Sequence, residues 1–493
     1  FAMFAKVPCF DPSSAAEARE MVFDAFDLSE RFHVTAMLRP SVRVDHCRQD
    51  VELGEIRPLK GEVKFEKDPS RWVCLPAKVR VNHPKLNAKL EEIRAAFETE
   101  FRKYNYEVPA KKESVLGIVA SGVSFSIVSD ILKSLGREDV AVLKIGTPHP
   151  LPVKMVTDFI EKHPRVLFLE ETYPVMEMQI PDRTKIMGRW NGVVPGAGEL
   201  LPEVVAGILA DILGIESPSG ADSMLKDTLE ELGITPRKPM LCPGCPHRAS
   251  FFSIRQALPN AVNPSDIGCY SLGVNQKAVD AIIDMGGSVT MGSGLTLAHK
   301  VAGIDRPVVS TIGDSTFFHM GIPGLVSAVY NRHPFVLAIL DNSTTAMTGG
   351  QANPGVGEKL RKGDEGRKVD IEGVCRGCGV SHVRTIEAYD VAAGKEAIKE
   401  AWESAKEKKE PAVVIFRHPC MLLRPQQPVI PVRVDPEKCI GCKFCINFFN
   451  CPGLVFNEER GKAYIDERFC VSCGVCLSVC PHGAIVEVSE EGE

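Results

Sequence analysis

Residues 308–351 read VVSTIGDSTFFHMGIPGLVSAVYNRHPFVLAILDNSTTAMTGGQ, and this stretch decides the fold of the region around it. The apolar run Val308–Ile312 ends in a polar turn, and a helix-like stretch follows over Met320–Tyr330. A second apolar run, Phe335–Leu340, ends in Asp341-Asn342. Strand, turn, helix and strand in this order predict a parallel βαβ unit. Because open parallel sheets bind ligands beyond the carboxyl ends of their strands, the two polar turns are the predicted site.

The two turns carry the ligand types of a magnesium site. Asp314 offers an anionic oxygen and Asn342 a neutral carbonyl oxygen, and Gly313 lets the backbone approach a ligand closely. Together with diphosphate oxygens and a water, these ligands suit octahedral Mg²⁺. The spacing, GDS followed by 26 residues and then Asn342, resembles the thiamine diphosphate (ThDP) motif, written GDG, a spacer and NN.

Two positions depart from that motif, since Ser315 replaces its last Gly and Ser343 its second Asn. Neither position supplies a side-chain ligand in the resembling enzymes. There a backbone carbonyl two residues after the Asn is the third protein ligand, and the resemblance places it on Thr344. The alternative is an ordinary βα turn in which Asp314 caps the following helix.

Composition sets wider limits on the class of protein. A chain of 493 residues predicts about three domains, and 44% apolar residues are enough for full cores. The net charge of −6, without a basic block, argues against nucleic acid as a partner. No apolar run approaches the ~18–20 residues of a membrane span, and no signal peptide is visible. We therefore expect a cytoplasmic protein that does not bind membranes.

Hydrophobic periodicity divides the chain into segments. A capped helix and a short strand occupy 1–58, a charged connector follows, and a βαβαβ order predicts a doubly wound α/β domain before a Ser/Pro/Gly-rich linker. A Pro-rich extended stretch leads into the cysteine-rich tail. The predicted segments are 1–58, 59–112, 113–215, 216–239, 240–425 and 426–493.

The tail holds eight of the 17 cysteines. Residues 439–452 read CIGCKFCINFFNCP and residues 470–481 read CVSCGVCLSVCP, the second being the spacing of bacterial ferredoxins. The first run has five residues instead of three before its last Cys. Each run supplies three ligands of one [4Fe–4S] cluster, and its remote Cys completes the other cluster. The predicted ligand sets are Cys439, Cys442, Cys445 and Cys480 for one cluster, and Cys470, Cys473, Cys476 and Cys451 for the other. A pair of zinc knuckles is the alternative.

Cysteines upstream of the tail form a less specific pattern. Cys242 and Cys245 lie in the sequence LCPGCPH, and Cys269 follows in DIGC. Cys375 and Cys378 come after the ThDP-like turns. Four of these sulfurs could hold a third cluster, or Cys242 and Cys245 could shape a turn while Cys269 lies in a core. The remaining cysteines are predicted to be small buried hydrophobes: Cys9, Cys47, Cys74 and Cys420.

ThDP promotes the decarboxylation of 2-oxoacids, and a [4Fe–4S] cluster accepts one electron at a time. A ThDP site and [4Fe–4S] clusters on one chain together indicate oxidative decarboxylation with a ferredoxin-like electron acceptor. The set CPGCPHR, DIGCYSLG, GDSTFFHMGI and DNSTTAMTGGQ with a two-cluster tail resembles the α subunit of indolepyruvate:ferredoxin oxidoreductase, of the 2-oxoacid:ferredoxin oxidoreductase superfamily. The elongated first cysteine loop is that subunit's variant, and the resemblance spans nearly the whole chain.

The resemblance implies a fold and partners. The fold is α/β, with doubly wound ThDP-binding-type domains and a C-terminal α+β ferredoxin domain of the bacterial two-cluster type. Segment 113–215 corresponds to a transketolase C-terminal-like domain and 240–425 to the ThDP diphosphate-binding domain. The reaction converts arylpyruvates, CoA and oxidised ferredoxin to aryl-acetyl-CoA, CO₂ and reduced ferredoxin, in a hetero-oligomer with a smaller β subunit.

The resemblance also favours the third cluster. Related enzymes bind a proximal cluster through a CxGC pair, a later GC and a distant Cys, which here implies Cys242, Cys245 and Cys269, with Cys375 or Cys378 as the fourth ligand. Segment 1–58 resembles the last part of a pyrimidine-binding domain. The Glu that activates the cofactor lies earlier in that domain, so we expect sequence before Phe1 and assign no catalytic residue in this chain.

Two other functions stay open at this point. One is a non-oxidative ThDP decarboxylase with structural clusters, and the other is an electron-transfer subunit that serves a separate catalytic chain. The aryl substrate is implied by the resemblance alone.

Overall fold

The computed structural model of the chain describes residues 1–56, 65–216, 220–234, 238–357, 366–423 and 429–488. Two compact units divide the chain, Phe1–Thr235 and Pro236–Glu493. The predicted boundaries at 58/59 and 425/426, and parts of the predicted linker 216–239, lie outside the described residues. Within them, no helix combines the length and apolar character needed to span a membrane.

The first unit is built on a five-stranded sheet of order β3-β5-β4-β6-β7, in which only the β3–β5 pair is antiparallel. Strand β3 lies within the predicted connector 59–112, so this sheet begins before the predicted start at 113. A separate parallel pair, β1 with β2, precedes it. The strands are β1 (Cys9–Phe10), β2 (Met37–Leu38), β3 (Asn105–Val108), β4 (Leu116–Ser121), β5 (Val140–Ile145), β6 (Val166–Leu169) and β7 (Ile186–Met187).

Helices cover both faces of this sheet. Ile118 of β4 packs with Val128 and Leu209 in one core, whereas Val119 packs with Phe159 in the core of the opposite face. This alternation is what a doubly wound sheet requires. The helices of the unit are Ala2–Ala5, Ala15–Phe32, Val42–Asp45, Pro69–Trp72, Pro76–Thr99, Gly122–Ser134, Val153–Lys162, Val175–Met178, Pro202–Leu213 and Gly220–Glu231.

The second unit contains a parallel four-stranded sheet of order β10-β11-β9-β8. The βαβ unit expected from residues 308–351 is present, and the doubly wound fold class is confirmed. The strands are β8 (Val309–Gly313), β9 (Val336–Asp341), β10 (Val383–Glu387) and β11 (Ala412–Arg417).

Two cores sandwich this sheet. One holds Phe251 and Trp402, from helices Pro246–Ala257 and Val391–Lys408, and the other holds Leu325 and Cys375. The other helical segments are Cys269–Gln276, Gly287–Ala302, Asp314–Thr316, Phe317–Gly321, Ile322–Tyr330, Ile371–Gly377 and Met421–Leu423.

The tail forms two antiparallel strand pairs, β12 with β15 and β13 with β14. Its core also includes Ala249, Phe252 and Val391 from the preceding domain, so the tail packs directly on the helix Pro246–Ala257. The elements of the tail are β12 (Val432–Val434), β13 (Leu454–Asn457), β14 (Lys462–Ile465), β15 (Ile485–Glu487) and the helical turns Cys445–Phe449 and Val475–Ser478.

Candidate functional site

The two polar turns meet at one edge of the second sheet. Strands β8 and β9 are parallel neighbours, with Gly313 paired to Leu340, so the residues that follow each strand lie side by side. Asp314, Asn342 and Thr344 are all buried. They line one cavity of about 110 Å³. The structure therefore brings together the side chains that the sequence singled out.

Asp314 has the environment of a metal-binding carboxylate. Its Oδ1 accepts a hydrogen bond from the Ser315 backbone N–H (2.8 Å), and its Oδ2 accepts one from Asn353 Nδ2 (3.0 Å). Burial raises the pKa of this carboxyl, and the charge of Asp341 raises it further. A divalent cation would offset both effects, since it favours the ionised carboxylate. The donor set of a buried carboxylate and a neighbouring amide oxygen fits Mg²⁺.

Asn342 is held by the helix that follows the upstream cysteine pair. Its Nδ2 donates to His247 Nε2 (3.2 Å), and its Oδ1 accepts from the Thr344 N–H (3.3 Å). Burial lowers the pKa of His247 to about 4, so the neutral ring can accept this bond at physiological pH. Ser343, which replaces the motif's second Asn, adopts φ 60°, a conformation that Asn adopts more readily than Ser.

The upstream cysteines surround a second cavity, of about 50 Å³. Cys242, Cys245 and Cys269 line it. Four residues also line the cavity at Asp314 and so form a wall common to the two cavities: His247, Cys269, Asn342 and Ala346.

The fourth cysteine at this cavity is Cys420, neither Cys375 nor Cys378. Cys420 follows β11, and its N–H donates to the Asn342 carbonyl (2.9 Å), which continues the β11–β9 pairing past the strand ends. Cys375 and Cys378 pack instead in the core on the opposite face of the sheet from Cys245. The sequence signal for Cys420 was its place just after an apolar strand, at the ligand-binding edge.

The prediction for the other scattered cysteines is only partly correct. Cys9 and Cys420 are buried as predicted, but Cys47 and Cys74 are exposed. Both follow short helices, Val42–Asp45 and Pro69–Trp72, that lie outside the apolar cores.

The tail cysteines form two groups in the expected crossed arrangement. The first group surrounds a small cavity lined by Cys439, Cys442, Cys445 and Cys480. Cys442 is exposed whereas Cys439 and Cys445 are buried, so one edge of this group faces solvent. The Cys480 sulfur also accepts a hydrogen bond from the Ala484 N–H (3.3 Å).

In the second group, burial and the neighbouring thiols together raise the pKa of Cys476 to about 12; those thiols are Cys473, Cys451 and Cys470. Cys451 therefore lies with the second run, across from its own motif.

Comparison with known proteins supports both the ThDP-binding site and the iron–sulfur tail. Residues 266–416 match the family model "Thiamine pyrophosphate enzyme, C-terminal TPP binding domain", and residues 438–484 match the "4Fe-4S dicluster domain". The chain is thus a ThDP enzyme subunit that carries iron–sulfur clusters, and the zinc alternative is wrong.

Curated relatives narrow the class. The Thermococcus kodakarensis protein "Indolepyruvate oxidoreductase subunit IorA" is 39% identical over 525 residues, covering 100% of this chain and 79% of the relative. Its namesake from Methanothermobacter marburgensis is 39% identical over 503 residues, covering 98% and 78%. A 2-oxoglutarate:ferredoxin oxidoreductase structure from Magnetococcus marinus is 20% identical, with a TM-score of 0.31 over 38% of this chain and 66% of that one.

The chain belongs to the family of indolepyruvate:ferredoxin oxidoreductase α subunits. It is accordingly an oxidoreductase subunit for ferredoxin-dependent oxidation of 2-oxoacids.

Proposed function

We propose that this chain catalyses the ferredoxin-dependent oxidative decarboxylation of arylpyruvates, indolepyruvate among them, with CoA as the acyl acceptor. An arylpyruvate, CoA and two oxidised ferredoxins give an aryl-acetyl-CoA, CO₂, two reduced ferredoxins and one proton. The bond between the carboxylate and the keto carbon breaks, a thioester bond forms, and two electrons leave one at a time. The printed names of the curated relatives support the aryl substrate.

One observation carries the proposal. The cavity at Asp314 and the cavity of four cysteines share a wall that includes Asn342 and Cys269. Electrons released at the first cavity therefore have an acceptor site directly beside them. A non-oxidative decarboxylase would have no use for this arrangement.

The residues of the first cavity have separate roles in this proposal. Asp314 and the Asn342 and Thr344 oxygens bind Mg²⁺, and Gly313 with Ser315 borders the diphosphate. Bound ThDP supplies the electron sink for decarboxylation. The neutral His247 ring holds the Asn342 amide in place, as outer-sphere partners of metal ligands do.

The cysteines form a relay of three [4Fe–4S] clusters, about twelve irons per chain. The proximal cluster is bound by Cys242, Cys245, Cys269 and Cys420, which replaces the expected Cys375 or Cys378. The crossed sets of the tail bind the other two clusters. The exposed edge at Cys442 is the side from which an external ferredoxin takes electrons. A smaller β subunit completes the assembly, as the relatives' designation as subunits supports.

The decisive experiment is turnover of indolepyruvate, phenylpyruvate, pyruvate and 2-oxoglutarate with a low-potential dye, with and without CoA. The chain is assayed alone and with its β subunit. We expect CO₂ release that requires the oxidised dye, is fastest with the aryl substrates and yields a thioester only with CoA. CO₂ release without an acceptor would support the non-oxidative alternative. A chain that retains no ThDP would support the electron-transfer alternative.

A further inference from the structure

The long loop of the first cysteine motif, residues 446–450, contacts the helix Pro246–Ala257, as does Phe444 just before it. The Phe449 ring meets Phe252 edge-on, with centroids 5.7 Å apart at 90°. Arg255 and Lys277 lie over the Phe448 ring, at 5.2 and 5.5 Å from its centroid. The extra length of this loop therefore serves an interface.

Polar contacts fix the backbone of the same loop. Gln276 Nε2 donates to the Phe448 carbonyl (3.3 Å) and to the Arg248 carbonyl (3.0 Å). Asn450 ends the loop with φ 56°. This left-handed conformation turns the chain directly before Cys451.

Arg248 lies between this loop and the upstream cysteines, with only 2% of its surface exposed. Its Nη1 donates to the carbonyls of Phe449 (3.0 Å) and Asn450. Its Nη2 donates to the carbonyls of Leu241 and Cys242, the latter at 3.3 Å. One rigid guanidinium thus joins the backbone beside Cys451 to the backbone at Cys242.

All four of these acceptors are neutral carbonyls, and a buried charge needs an opposite charge close by. Burial lowers the pKa of Arg248, and the charges of cysteine sulfurs from both groups oppose that shift: Cys451, Cys245, Cys242 and Cys473. Thiolates that bind iron–sulfur clusters are negatively charged, and reduction adds one more negative charge to the cluster. A fixed positive charge beside them therefore favours the reduced state.

We propose that Arg248 is a positioning residue for electron transfer, which fixes the long loop against the proximal cysteines and raises the reduction potentials of the two clusters on either side. The inference rests on the proximal cluster proposed above. The loop of five residues, in place of three, is the length that brings the Phe449 and Asn450 carbonyls to this guanidinium.

The test compares Arg248→Gln and Arg248→Lys in the full, iron-loaded chain under anaerobic conditions. Iron content, potentiometric EPR and hydrogen exchange of residues 446–450 are measured. Because Gln removes the charge, we expect about a tenfold shift toward the oxidised state in both adjacent clusters, equivalent to about 59 mV for one electron. The cluster at Cys439 should shift less. Lys keeps the positive charge but lacks the guanidinium that donates to both segments of backbone. The cluster potentials in Arg248→Lys should therefore stay near wild type, while hydrogen exchange of the loop becomes faster.

Two further variants separate charge from position. Arg255→Gln removes a positive charge from the same helix, the charge that lies over the Phe448 ring of the same loop. The reduction potentials of the clusters should remain unchanged in this variant. Gln276→Leu removes a donor to the loop without a charge, so only the exchange should increase. If Arg248→Gln does not retain iron, wild-type exchange in Arg248→Lys would overturn the positioning role.

The possible failures are distinguishable. About eight irons in the wild-type chain would overturn the third cluster and the effect of Arg248 on it. About twelve irons with unchanged potentials in Arg248→Gln would overturn the role of Arg248 alone.

Discussion

Gly244 lies where the upstream cysteine loop touches the second cysteine run of the tail, and its replacement by Ala tests that contact. The residue has φ +67°, and an added Cβ would lie 2.5 Å from Val471 Cγ2. The left-handed backbone costs an L residue about 1–2 kcal/mol. The steric clash adds about 1–3 kcal/mol. Together they destabilise the local contact by about 2–5 kcal/mol, or roughly 30- to several-thousand-fold in the opening equilibrium.

The assay is hydrogen exchange followed by mass spectrometry, since local opening can be measured without global unfolding. The reporters are the Ile430 N–H, which donates to the Ser472 carbonyl (2.8 Å), and the Cys245 N–H, which donates to the Cys242 carbonyl (3.1 Å). Both should exchange faster in Gly244→Ala. Electron transfer from substrate to the tail clusters should slow as well.

Two variants separate the clash from the backbone strain. Val471→Ala removes the clashing methyl, so the double variant should keep only the cost of the left-handed backbone. Gly303→Ala is the matched control, because Gly303 has φ +66° with nothing within 4 Å of an added Cβ. If Val471→Ala fails to restore protection to Gly244→Ala, the two cysteine loops are not in contact and the short electron path is wrong.

Four other outcomes are expected. Asp314→Ala should weaken Mg²⁺–ThDP binding more than about 100-fold, since even outer-sphere changes cost 10–100-fold, while iron analysis shows intact tail clusters; normal ThDP content would refute the assignment. Because the pKa of Asp314 is raised and protons compete with the metal, the affinity for Mg²⁺–ThDP measured by calorimetry should rise with pH until this carboxyl is ionised. The Asp314→Asn variant lacks the titrating carboxyl, so the difference between the two pH profiles reports the titration of Asp314 itself. Cys451→Ser should remove the EPR signal of the cluster at Cys470, and loss of only the other tail cluster would contradict the crossing. Cys420→Ser should lower the iron from about twelve to about eight per chain, whereas Cys378→Ser should keep it; the reverse result would restore the original expectation.

The sequence predicted those site residues whose position in space follows directly from their spacing along a regular backbone. Asp314 and Asn342 each follow an apolar strand, and parallel strands bring such residues to one edge. The crossed arrangement of Cys451 and Cys480 follows from a spacing that suits one cluster geometry. In both cases local sequence and tertiary position are tied together.

The fourth upstream cysteine could not be predicted in the same way. Cys375 and Cys378 share a CxxC spacing with real ligand pairs, but which face of a sheet a helix covers is decided by packing. Cys420 has no cysteine near it in sequence and depends on pairing beyond the end of β11. Strand β3 was missed for a similar reason, because three of its four residues, NYEV, are exposed at a sheet edge and lack the apolar run of a central strand.

The shared core of Ala249, Phe252 and Val391 with the tail has a kinetic consequence. A carrier domain that swings between two stations has a rate limited by diffusion through solvent, and added sucrose or glycerol slows it. Here the tail shares its apolar core with the domain that binds the cofactor, and separating the two would expose those side chains to water at about 25 cal/mol per Å². The internal electron steps should therefore be insensitive to solvent viscosity, and only the encounter with the external acceptor should slow.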